Sequence, residues 1–151
     1  MARGHCGLVF RAGMRHKVAM FIYGQMAANA IAVMSYLAAR PGRRAGSTEV
    51  AKARNISRAL AAKILSQLSG SGLLHGQAGP GGGYSLAKPA DEICLLDIVR
   101  IFEQTEPPSV CPFGHGWCGK GEPCPLHDSI DALRRRNLEF LETTRLSVFG
   151  A

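Results

Sequence analysis

Three of the five cysteines, Cys111, Cys118 and Cys124, share one glycine- and proline-rich stretch, with six and then five residues between them. Thiolates are soft ligands, and this spacing is wider than the pairs about two to four residues apart that clamp structural zinc. It suits a chain wrapping around an iron-sulfur cluster, whose potential backbone amides of a glycine-rich loop can tune. Three thiolates leave one position of a four-ligand set. His127 follows Cys124 by three residues, one turn on if a helix has begun there, and a neutral imidazole can complete the set. His115 competes for that place, as does a carboxylate from another subunit. Structural zinc and a thiol-disulfide switch stand behind the cluster as alternatives. No serine-histidine-acid arrangement, paired carboxylates or phosphate-binding glycine loop accompanies the thiols, so a small redox enzyme ranks third and no catalytic residue is assigned. Cys94, in an apolar helical stretch, reads as a small core residue, and Cys6 belongs to the N-terminal leader.

The elements that must position these ligands follow from periodicity and punctuation. Residues 1–19 show no period and read as a disordered leader, or as sequence upstream of a start at Met20. An apolar run from Val18 to Ala39 follows basic Arg15, His16 and Lys17, yet Gln25, Asn29 and Ser35 interrupt it and its bulkiest residues recur at helical spacing. It therefore predicts a buried helix from Met20 to Ala39 in a cytoplasmic protein, not an exported or membrane-spanning segment, and Arg40-Pro41-Gly42 stops it. Ser47 caps a short helix through Arg54, Asn55-Ile56 turns, and Ser57 caps a second helix through Ser69. Val50, Ala51, Ile56, Leu60, Ile64, Leu65 and Leu68 form the core stripe of this helix-turn-helix, leaving Arg54, Arg58, Ala61, Ala62 and Lys63 outward. Segments Leu73 to Ala78 and Tyr84 to Ala87 flank Gly79-Pro80-Gly81-Gly82-Gly83, the pattern of a two-stranded hairpin with a glycine tip. A further helix covers Ile93 to Glu103. After the cysteine loop, Leu126 to Val148 predicts a long helix whose apolar side, with Ile130, Leu133, Leu138, Leu141 and Leu146, calls for a two-fold partner.

Charge divides the chain the same way. At 151 residues with a net charge of +7, it holds one core and favours a polyanionic partner. Residues 40–63 carry Arg40, Arg43, Arg44, Lys52, Arg54, Arg58 and Lys63 against Glu49 alone, whereas residues 91–142 carry ten acids against five bases. The helix-turn-helix, not the cysteine half, is the part suited to phosphate. Ser57, Arg58, Lys63 and Arg54 are its candidate DNA contacts. Gly81, Gly82 and Gly83 would let the hairpin tip approach a sugar-phosphate backbone.

The stretches Gly72-Leu73-Leu74, Gly79-Pro80-Gly81-Gly82-Gly83-Tyr84-Ser85-Leu86-Ala87-Lys88-Pro89, Ile93 and Leu95-Leu96-Asp97-Ile98-Val99 together resemble the Rrf2 family of bacterial winged-helix regulators. The likeness runs from Met20 to the final helix. It implies a mainly α fold: a winged helix-turn-helix domain over 20–106 with a small two-stranded β wing, a cluster-binding loop over 107–125 and a dimerisation helix over 126–151. It implies a homodimer on a palindromic double-stranded operator, recognition helices in major grooves and wings near minor grooves, with no membrane and no small-molecule substrate. Cys111, Cys118, Cys124 and His127 resemble the three-cysteine, one-histidine set of the family's iron-sulfur members, and a 2Fe-2S cluster ranks above a 4Fe-4S one. The first two cysteines stand one residue further apart here. Ala78 and Ala62 replace an arginine and a glutamate of those members, so operator preference does not carry over. The alternative is a zinc- or disulfide-stapled winged-helix interaction module without cluster sensing.

Overall fold

The computed structural model describes residues 23–103 and 123–150. Its elements run α1 (Gln25–Ala38), α2 (Ser47–Arg54), α3 (Arg58–Gly70), β1 (Leu74–Gln77), β2 (Gly83–Leu86), a 3-10 turn at Ala90–Glu92, α4 (Leu95–Phe102), α5 (His127–Thr143) and a last 3-10 turn at Leu146–Phe149. This is the winged helix-turn-helix that the sequence predicts. The leader and Cys111, His115 and Cys118 lie outside the described residues, while the first helix starts at Gln25 and not at Met20, since Tyr23 and Gly24 are not helical.

α1 is almost wholly apolar and buried, with Ala27, Ala30, Val33 and Met34 fully inaccessible. It begins at Gln25 because Gly24 is still extended and donates its N–H to the Glu103 carboxylate at the far end of α4. α2 and α3 are joined by Asn55, which adopts the left-handed conformation at φ 51°, ψ 46°. Asparagine tolerates this conformation better than most residues. The Ser57 hydroxyl then accepts from the Leu60 N–H at 3.1 Å, the cap expected for α3. Ser47 is not a cap: it is the first residue of α2, and Gly46 occupies the capping position without a side-chain bond.

The first wing strand is shorter than expected and the second begins one residue earlier, pairing Leu74 with Leu86 through Gln77 with Gly83 in antiparallel register. A third segment joins them. Ala45, in the turn between α1 and α2, donates to the Tyr84 carbonyl at 3.0 Å and accepts from the Tyr84 N–H at 2.9 Å. This bridge fixes the wing to the helix-turn-helix, and the sequence gives no local sign of it.

The C-terminal helix also departs from expectation. α5 ends at Thr143, and Thr144 is extended at φ −81°, ψ 117°. The next residues pair with the start of α4: Leu95 donates to Thr144 and Leu146 to Ile93. Leu146 is therefore fully buried in the core beside Leu141 and does not lie on an outer apolar side. Backbone pairing and burial at one leucine outweigh another turn of helix.

Candidate nucleic-acid interface and cysteine segment

Helical spacing puts Ala61, Ile64, Leu65 and Leu68 on the buried side of α3. Ala61 is completely inaccessible, which corrects its expected surface position; it stands one turn before Ile64 and Leu65 on the stripe facing the core. Arg58, Ala62 and Lys63 are exposed, as are Ala59, Ser66 and Gln67. Ser66 continues the outward row from Ala59, Ala62 and Lys63. It was missed because nothing but its place on that row marks it.

Arg54 does not join this row. It is half-buried, donates from Nη2 to the Ser35 hydroxyl at 3.0 Å and lies 5.5 Å from the centre of the Tyr36 ring. Arg40 stacks on the same ring at 3.9 Å and donates to the Tyr36 carbonyl. The Tyr36 hydroxyl donates to Glu49 at 2.8 Å, and Glu49 pairs with Arg43 at 3.1 Å. That hydrogen bond to Glu49, with burial and the nearby carboxylate charge, holds the Tyr36 phenol above its ordinary pKa. The joint between α1 and α2 is thus a network of aromatic, guanidinium and carboxylate groups, and it accounts for several of the bases in residues 40–63.

The wing glycines have structural reasons of their own. A Cβ on Gly82 would stand 2.3 Å from the Gln77 carbonyl oxygen, and one on Gly83, at φ 137°, would stand 2.9 Å from the Ala45 backbone. Gly81, at φ 74°, faces open space at the tip, free to meet a ligand backbone.

Cys124 and His127 are both half-buried where the chain enters α5. The His127 N–H donates to the Cys124 carbonyl at 2.9 Å, so the two residues bound a single turn. Asp131, one turn further, bonds Arg134 at 3.0 Å and Arg135 at 2.8 Å. The Arg134 hydrogen bond above all, with the charges of Arg135 and Arg134, holds its carboxyl below the usual range. A thiol and an imidazole at this spacing are suitable cluster or zinc donors. Among the described residues no group of three such ligands forms, since Cys111 and Cys118 lie outside them. Beyond His127, Leu126, Ile130, Leu133 and Phe140 leave 38–66% of their surface exposed. No helix among the described residues is long and apolar enough to cross a membrane.

The family model for Rrf2, described as an iron-dependent transcriptional regulator, matches residues 24–149. A helix-turn-helix-type transcriptional regulator of Aquifex aeolicus (strain VF5) is 29% identical over 127 residues, 83% of this chain and 88% of its own length. Protein aau3 of Rhizobium meliloti (strain 1021) is 34% identical over 116 residues, covering 75% and 72%. Among solved structures, CymR, the global cysteine regulator of B. subtilis, superposes with a TM-score of 0.71 at 25% identity, covering 86% of this chain and 97% of CymR. T. potens IscR gives 0.68 at 19% identity, covering 85% of each chain, a likeness of fold.

Proposed function

Because the chain belongs to the Rrf2 family of transcriptional regulators, we propose that it is a homodimeric DNA-binding regulator whose operator affinity is set by an iron-sulfur cluster on Cys111, Cys118, Cys124 and His127. DNA-binding regulation, not catalysis, is the activity of the family. The cluster reading goes further, and the observation that carries it is the half-buried Cys124 and His127 pair on one turn at the mouth of α5. A cluster bound there would supply a tie whose strength depends on oxidation and on competing ligands.

The chain's own residues make that tie consequential. His127 is the first residue of α5, so whatever holds its imidazole also orients the first turn of a helix that packs on α4 and sends Leu141 into the core. The exposed apolar residues on the same helix supply the two-fold contact, and its geometry sets the distance between the two α3 readers. Arg58 and Lys63 meet the phosphates and Ser66 the groove, while Gly81 lets the wing tip approach the backbone. A coupling of about 1–3 kcal/mol between cluster and operator suffices for control.

The test is anaerobic purification of wild type and Cys118→Ala, with visible absorption, iron and sulfide analysis, and operator titration of cluster-loaded and cluster-free protein. A brown wild type holding sulfide and bleached by the substitution supports the reading. Colourless protein that holds zinc after anaerobic reconstitution replaces it with the stapled module. Equal operator affinity with and without the cluster removes the switch and leaves the DNA-binding role.

A further inference from the structure

A cavity of about 530 Å³ opens at the base of the wing, between the end of α1, the turn before α2 and the end of β2. That volume lies within the range of small-molecule sites. Its polar rim holds Arg40, Arg43, Arg44 and Lys88, its apolar wall includes Leu37 and Leu86, and no carboxylate lines it. Two of the four cations are held in place from behind, Arg40 by the Tyr36 ring and carbonyl and Arg43 by Glu49. Arg44 and Lys88 are exposed and form no ion pair among the described residues.

We propose that this pocket binds a small organic anion, with a carboxylate, phosphate or sulfonate head between Arg44 and Lys88 and an apolar body against Leu37 and Leu86. Arg40, held on the Tyr36 ring and carbonyl, adds a guanidinium that is already ordered beside the unpaired charges of Arg44 and Lys88. The apolar wall favours an occupant with an apolar body over a DNA phosphate, because a phosphodiester track has little apolar surface to bury. An occupant would touch α1, the residues leading to the Ala45 bridge and β2 together, and so would brace the wing against the helix-turn-helix.

The experiment is a fluorescence titration of the full chain with 1-anilinonaphthalene-8-sulfonate, an anionic head on an apolar body, followed by displacement with decanoate. Wild type is compared with Arg44→Glu/Lys88→Glu and with a charge-matched control, Lys52→Glu/Arg100→Glu. Binding at one site per chain, displaced by decanoate, weakened at least tenfold by the pocket pair and unchanged by the control pair is the expected result. Should the glutamate pair fail to melt cooperatively, Arg44→Gln/Lys88→Gln takes its place with at least a threefold weakening expected. Probe affinity indifferent to the pocket substitutions overturns the proposal. So does a pocket pair that leaves probe binding intact but weakens operator binding as much as Arg58→Ala, since the rim would then be a DNA-backbone surface.

Discussion

At the scale of single residues, two arginines four positions apart do different work. Arg54 donates to Ser35 and lies over Tyr36, whereas Arg58 points outward from the first turn of α3. Arg54→Ala is expected to lower stability by about 1–2 kcal/mol, the worth of a charged hydrogen bond with a ring contact, measured as a lower denaturant midpoint. Arg58→Ala and Lys63→Ala should leave that midpoint in place and weaken operator binding, each reducing the slope of log affinity against log salt by about 1. An Arg54→Ala protein of unchanged stability and weakened operator binding would return Arg54 to the DNA contacts. The fourth ligand of the proposed cluster is decided in the same way. His127→Ala should shift the visible spectrum or shorten the cluster's lifetime more than His115→Ala, and the opposite ranking would reassign the ligand.

At the scale of elements, the wing and the joint between α1 and α2 carry the sharpest expectations. Gly83→Ala places a methyl 2.9 Å from the Ala45 backbone at a positive φ and should cost about 1–3 kcal/mol as the bridge to Ala45 opens. Gly70→Ala, at the end of α3 with open space around it, should instead stabilise by about 0.5–1 kcal/mol. Paired chemical melts check both signs. The Tyr36 phenol is held above its ordinary pKa of 10.0, so its contribution is complete below that value and is lost as pH rises through the raised one. Tyr36→Phe should therefore be less stable than wild type at neutral pH, by a margin that narrows above pH 10. The α1, α2, α3 and hairpin signals were legible because periodicity, Ser57 and the glycine run are local. So was the spacing of Cys124 and His127. The Ala45 bridge, the break at Thr144 and the inward turn of Arg54 were not, because each depends on a partner distant in sequence: Tyr84, Ile93 and Leu95, or Ser35. Ala61 was misplaced because a small side chain marks neither face of a helix.

At the scale of the whole molecule, α5 carries exposed apolar residues among the described ones. Leu126, Ile130, Leu133 and Phe140 follow one another at intervals of four, three and seven residues, the spacing of a helix that meets another helix, while Leu141, at the flank of that row, is buried in the core. The difference in burial lets assembly be tested apart from folding. Leu133→Asp puts a charge on that row at a residue 66% exposed in the single chain, so it should shift the protein from dimer to monomer in analytical ultracentrifugation while the helical circular dichroism signal persists. Leu146→Ala, by contrast, removes a fully buried side chain and should cost about 2–5 kcal/mol of stability. Because Cys124 and His127 open the same helix, the monomeric variant also tests how cluster and operator are linked. It should bind a palindromic operator at least tenfold more weakly, with little difference left between its cluster-loaded and cluster-free forms. A Leu133→Asp protein that remains dimeric would place the two-fold contact elsewhere and detach α5 from the coupling; a monomer that still distinguishes the two cluster states on DNA would route the signal through the contact of α5 with α4 inside one chain.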